Sequence, residues 1–198
     1  MSRIVAFGCS YTYGYGLPDC KEQDDLPSKY AFPSLVANAI NKEVLNKADG
    51  GASQKQIAAT VLQTDIKTND IVIINWTDAT RRGIYNGHMW NQLASWTNDN
   101  TWLRFYNKYH TETDDTLDTL MYMNLANLYL KKQIRCRKVI NCLNRRDNNI
   151  LEATEKWNTV RIDLIFKTKK FYYQPIPGDG HPDEKSHQVF AERILELL

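Results

Sequence analysis

The chain has 198 residues, which suits one domain and is ample for a sizeable core. Apolar residues make up 42% and charged residues 24%, close to ordinary globular usage. The formal net charge of +2 argues neither for nor against a polyanionic partner, and the nearest basic cluster is short. That cluster, Lys131, Lys132, Arg135, Arg137 and Lys138, reads as a solvated helix end followed by a strand entry, so no nucleic-acid partner is expected. No run approaches membrane-spanning length, and Arg3 to Phe7 is too short for the apolar core of a signal peptide. Cys136 and Cys142 lie roughly 20 Å apart on one apparent strand, too far to pair, and nothing has zinc-ligand spacing. The expectation is a cytoplasmic, reduced protein with no membrane contact and no structural metal.

In chain order, Arg3 to Phe7 reads as a buried parallel strand that stops at Gly8. Phe32, Leu35, Val36, Ala39 and Ile40 recur at helical spacing, with Pro33 acceptable in a first turn. Val44 and Leu45 suggest a brief second strand. Ser53 is a plausible N-cap for a helix carrying Ile57, Ala58, Val61 and Leu62. Asp70 opens the clearest strand, Ile71 to Ile74. Residues 84–115 break the alternation and read as an aromatic-rich insertion within one domain spanning 1–198. Trp90, Trp96, Trp102, Tyr106 and Tyr109 crowd it, as expected for a cap or side wall over a crevice, or equally for a subunit interface. Leu117, Leu120, Met121, Leu125 and Leu128 mark a long helix. Lys138 to Leu143 is a fourth sheet strand, and Val160 to Phe166 a fifth. His187, Phe190, Ala191, Ile194, Leu195 and Leu198 share one face of the last helix. His187 is therefore expected to be a packed core residue, while His88 and His110 receive no role.

Strands alternating with helices imply an α/β fold with a mostly parallel sheet of about five strands. In such sheets ligands bind beyond the carboxyl ends of the strands. Ser10 follows the first strand there, Gly51 the second, and Trp76 to Arg82 the third. Taken alone, a serine in Gly8-Cys9-Ser10 is more often a helix cap or a phosphate-loop residue than a nucleophile. The surrounding glycines match neither a Walker A loop nor a dinucleotide fingerprint. Near the C-terminus, Asp179 and His181 supply a carboxylate and an imidazole on one short loop. That pair is the combination that activates a serine hydroxyl, although the same residues also make ordinary turns.

Three blocks in order, Gly8-Cys9-Ser10, Asp49-Gly50-Gly51 and Asp179-Gly180-His181-Pro182, resemble those of the SGNH hydrolases, the GDSL-like lipases and esterases. The resemblance covers nearly the whole chain. It implies a flavodoxin-like three-layer sandwich with Ser10 as nucleophile, His181 as general base and Asp179 as its orienting carboxylate. It also implies oxyanion donors at the N–H groups of Ser10 and Gly51. Cys9 stands where the family has Asp, and one residue rather than two separates Asp179 from His181. The third block, normally Gly-x-Asn-Asp, is altered to Asn75-Trp76-Thr77-Asp78, with Asn75 early and Asp78 of the wrong polarity for an anion. Trp76, Asp78 and Arg81, or Arg82 in its place, are therefore candidate substrate or oxyanion contacts. The implied activity is acyl hydrolysis of a carbohydrate or other small polar ester without metal or organic cofactor. The altered block leaves open a weak or inactive relative that binds a glycan or a protein. The Gly-Cys-Ser-Tyr-Thr start also looks like that of bacteriophage members, which would place the protein in the host cytoplasm.

Overall fold

A computed structural model of the chain describes residues 2–21, 26–94, 103–104, 108–145, 147–157, 160–167 and 174–198. Seven strands are present among these residues: β1 (Arg3–Phe7), β2 (Glu43–Asn46), β3 (Ile71–Trp76), β4 (Arg82–Tyr85), β5 (Trp90–Leu93), β6 (Lys138–Arg145) and β7 (Leu164–Lys167). The helices are α1 (Ser10–Tyr13), α2 (Phe32–Ala39), α3 (Gln54–Gln63), α4 (Glu112–Leu128), α5 (Asn148–Trp157) and α6 (Glu184–Leu195). Five strands form one sheet in the order β2-β1-β3-β6-β7, and every neighbouring pair is parallel. Counting only those five in chain order, this is the flavodoxin-like arrangement 2-1-3-4-5.

Successive side chains of a strand point to opposite faces, and the two cores follow from that alternation. Val5, Phe7, Val72, Ile74 and Trp76 pack with Ile57, Ala58 and Val61 of α3, Met123 and Ala126 of α4, and Ile150 of α5. Ile4, Ile73, Ile140 and Cys142 pack on the other face with Phe32 and Val36 of α2 and Phe190 and Ile194 of α6. The sandwich thus has three layers. Each large apolar side chain buried in it contributes about 1.5–3 kcal/mol relative to exposure. His187 is wholly buried in the second core, where its Nδ1 accepts the Phe32 N–H at 3.1 Å, in keeping with the packing role read from the sequence.

Several boundaries differ from those read in the sequence. Part of the 84–115 insertion is an antiparallel hairpin, β4 and β5, that begins earlier, at Arg82, and α4 already starts at Glu112. Trp96, Trp102 and Tyr106 lie outside the described residues. The fifth sheet strand begins at Leu164, and α5 is a helix that the sequence reading missed. Its signal is an N-terminal cap, with Asp147 Oδ1 accepting the Ile150 N–H at 3.1 Å, ahead of an amphipathic run. Helix α4 exists, but the leucine stripe is not its core face. Leu117, Met121, Leu125 and Leu128 are exposed, while Thr119, Leu120, Met123, Ala126 and Asn127 are buried. A polar network explains that rotation. Asn127 and Asn141 exchange amide hydrogen bonds at 3.0 and 3.1 Å, and Trp76 Nε1 donates to Asn141 Oδ1 at 3.0 Å. Buried amides left without partners cost about 1–3 kcal/mol each, so the helix turns them inward together.

Candidate active site

The carboxyl ends of β1, β2 and β3 lie side by side at one end of the sheet, where α/β folds form their binding crevice, and α1 starts there. Cys9 is the N-cap of α1 and Ser10 its first residue. Two asparagines pin this short helix through Thr12. Asn46, ending β2, donates to Thr12 O at 2.8 Å, and Asn75 in β3 donates to Thr12 Oγ1 at 3.2 Å. Asn75, wholly buried, thus steadies the Ser10 helix, which assigns its amide a task other than meeting an oxyanion. The Ser10 N–H, at a helix start where no preceding turn exists to take it, has no protein acceptor among the described residues.

The loop before α6 reaches α1 from the far end of the chain. Asp179 Oδ1 lies 2.5 Å from His181 Nδ1, the short contact of a carboxylate that orients an imidazole. The His181 ring stands against Tyr11 and Tyr15, with centroids 5.5 and 5.1 Å away. Tyr11 Oη also donates to Gly180 O at 3.2 Å. The Asp179 carboxylate presses on Gly16 so closely that a Cβ there would fall 2.3 Å from Oδ2. Tyr11 and Tyr15 thus hold the Asp179–His181 loop against α1, the helix that Ser10 begins, and the turn that follows it. No hydrogen bond joins the Ser10 hydroxyl to the His181 ring among the described residues, and such contacts commonly tighten only when substrate binds. Asp183, also close in sequence, caps α6 instead, accepting the Ser186 N–H at 2.8 Å.

Gly51 follows β2 in the loop 47–53, which Asp49 ties to β1 by donating its N–H to Gly8 O at 3.1 Å. Gly51 has φ +75°, a left-handed conformation that glycine adopts without strain. Its N–H, like that of Ser10, has no protein acceptor among the described residues. Ser53 caps α3 as expected, accepting the Gln56 N–H at 3.2 Å.

The third block departs from its expectation. Trp76 is wholly buried in the core and its indole N–H is bound to Asn141, so it does not line the crevice. Asp78 Oδ1 accepts the N–H and the hydroxyl of Thr80 at 3.0 and 2.9 Å and so closes a turn. Arg81 is half-buried within that turn, its N–H donating to Asp78 O at 3.1 Å. Arg82 is not an oxyanion contact. It forms ion pairs with Asp114 and Asp115 at 2.7 and 2.8 Å and with Asp118, fastening the hairpin to α4. His110, given no partner in the sequence reading, has Nδ1 3.1 Å from Asp115. Two side chains that brace these loops were missed. The Gln54 side chain donates to Thr77 O at 2.7 Å and accepts the Thr77 N–H at 3.2 Å, clasping the end of β3 to the start of α3. Gln92, on β5, donates to Gly50 O at 2.8 Å. Only the hairpin's placement reveals the second, because its sequence neighbourhood carries no motif.

No family model matches the chain, and no curated protein matches it by sequence. Solved structures do. An acetyl xylan esterase from Butyrivibrio proteoclasticus superposes with a TM-score of 0.59 at 13% identity, over 100% of this chain and 63% of that one. A G-D-S-L family protein from Desulfitobacterium hafniense gives 0.56 at 13% identity over 100% of both chains. The chain has the SGNH hydrolase fold. A family two carbohydrate esterase from Clostridium thermocellum, in complex with cellohexaose, gives 0.57 at 14% identity over 98% of this chain. This SGNH-fold chain spans about two-thirds or less of both carbohydrate esterases, 63% in each case. At such identities the likeness establishes the fold, and the placement of the Ser10 and His181 loops at its crevice is read from this chain's own geometry.

Proposed function

We propose that the chain is a serine esterase that removes an acyl group from a small polar ester, a carbohydrate ester foremost, through a Ser10 acyl-enzyme. The observation that carries this reading is the Asp179–His181 pair at 2.5 Å on a loop folded against the helix that Ser10 begins. With Nδ1 engaged by the carboxylate, Nε2 is the nitrogen able to take a proton. Ser10 Oγ attacks the carbonyl carbon while its proton passes to Nε2, and the carbonyl electrons move onto oxygen. The Ser10 and Gly51 N–H groups donate to that oxyanion. Collapse breaks the bond to the alcohol, which leaves with the proton held by His181. Water then attacks the acyl group, gives its proton to His181, and the acid is released as Ser10 regains its hydrogen. No cofactor enters these steps.

The carbohydrate preference rests on the hairpin beside the Gly51 loop. Cross-strand pairing places Gly83 and Gln92, then Tyr85 and Trp90, on one hairpin face. Gln92 touches the Gly51 loop, and the Tyr85 and Trp90 rings, with centroids 5.3 Å apart, extend outward from it. Aromatic faces of this kind stack on sugar rings. The glycan-bound esterase of the same fold is consistent with that class of substrate.

The altered third block favours a second reading, a weak or inactive SGNH-fold protein that binds a glycan or a protein, because the Asn75 amide is engaged by Thr12. Hydrolysis of p-nitrophenyl acetate and of acetylated xylo-oligosaccharides separates the two. The esterase reading expects turnover that Ser10→Ala lowers by on the order of 10⁴-fold or more. It also expects Trp90→Ala to slow the oligosaccharide about tenfold and the small ester hardly at all. Absence of turnover in the wild type, or full turnover in Ser10→Ala, rejects it.

A further inference from the structure

We propose that Gln92, on the β4–β5 hairpin, is a positioning residue that aims the Gly51 N–H at the oxyanion. This rests on the esterase reading, in which Gly51 is a donor. The Gly50 carbonyl and the Gly51 N–H belong to one planar trans peptide, so they point in opposite directions. Whatever fixes the carbonyl also fixes the N–H. Gln92 Nε2 donates to Gly50 O at 2.8 Å, and the same side chain fills the space beside Gly51, where a Cβ would fall 1.7 Å from Gln92 Oε1. Gly51 is thus held at φ +75° with its carbonyl-side neighbour anchored and its own N–H without a protein acceptor among the described residues. A bond to a peptide carbonyl also polarises that peptide and strengthens its N–H as a donor.

The anchor is itself supported. Gln92 Nε2 also lies 3.3 Å from Gln56 Oε1, and Gln56 Nε2 donates to Asp49 Oδ2 at 2.6 Å. Two amides, one from α3 and one from the hairpin, therefore grip the Asp49–Gly51 turn from the side. The hairpin in turn is fixed by Arg82 to three aspartates of α4. A segment inserted after β3 thereby sets the orientation of a donor that follows β2.

The test is Gln92→Met, which keeps length and apolar packing but cannot donate, with Gln92→Glu as a second variant whose ionised carboxylate also cannot donate. Steady-state hydrolysis of p-nitrophenyl acetate should show kcat about tenfold lower with KM unchanged, less than the 10²–10³-fold typical of deleting a donor outright. Ile84→Ala, on the opposite hairpin face, should leave kcat at the wild-type value. A mere packing role predicts instead a lower melting temperature with kcat intact. Full kcat in both Gln92 variants overturns this proposal and leaves the esterase reading standing. A wild type without turnover overturns both.

Discussion

The crevice has two sides that are built in different ways. On one, Asp179 and His181 lie two positions apart and meet Tyr11 and Tyr15, neighbours of Ser10. On the other, the Asp49–Gly51 turn is held by Gln56 and Gln92, the latter 42 residues from the carbonyl it grips. In the proposed mechanism the first side would supply the groups that move protons, and the second would orient a donor that does not react. Local spacing suffices for the first. The second needs an inserted hairpin, itself latched to α4, before the turn has anything to lean on.

Breaking the first side should have the larger effect. His181→Ala should lower turnover of an activated ester by on the order of 10⁴-fold or more, and Asp179→Asn by about 10²–10⁴-fold by leaving the imidazole without its orienting carboxylate. Both residues are on a loop, so melting temperatures should stay close to the wild type. Equal losses of activity and stability would show that the loop is a structural tie.

The two histidines of the C-terminal segment sharpen the contrast. Burial pushes the His187 imidazole down to about 3 from its ordinary value of 6.5, with Asp183 opposing and His181 adding to the shift. The folded protein holds this ring neutral while the unfolded chain protonates it. Its contribution to stability is therefore complete above pH 6.5 and is lost as pH falls toward 3, by about 1.4 kcal/mol per pH unit. Urea midpoints from pH 7 to pH 4 should fall more steeply in the wild type than in His187→Gln, which can still accept the Phe32 N–H but does not titrate. Parallel curves would contradict the burial argument.

The Arg82 latch behind the second side should respond mainly in stability. Arg82→Ala leaves Asp114, Asp115 and Asp118 facing one another, with the Asp115 side chain only 3% exposed. A loss of about 2–3 kcal/mol is expected, below the 3–5 kcal/mol of a fully buried pair because Arg82 and two of its partners reach solvent. Small-ester turnover should fall only several-fold, through loosening of Gln92. An unchanged denaturation midpoint would show that the ion pairs contribute nothing.

What was legible in the chain follows the same division. Continuous apolar runs marked β1 and β3, because a strand covered on both faces has no polar side. Ser10, Gly51, Asp179 and His181 stood out as candidates because each sits in a short motif. The face of α4 was not legible, because Asn127 is buried for a network with Trp76 and Asn141 while Leu117, Leu125 and Leu128 remain exposed. Hydrophobic periodicity has no access to such a trade. Trp76 was misplaced for the same reason, since its indole partner lies 65 residues away. Gln54 and Gln92 carry no motif, and their roles exist only once backbone groups of distant loops are near enough to be gripped.

The central claim is that Ser10 is an activated nucleophile. Labelling the wild-type protein with a fluorophosphonate and identifying the modified peptide by mass spectrometry tests it without knowledge of the natural ester. The account predicts a single phosphonylated residue, Ser10, with labelling abolished in His181→Ala and slowed in Gln92→Met. No labelling of the wild type, or modification of another residue with Ser10 untouched, would contradict it.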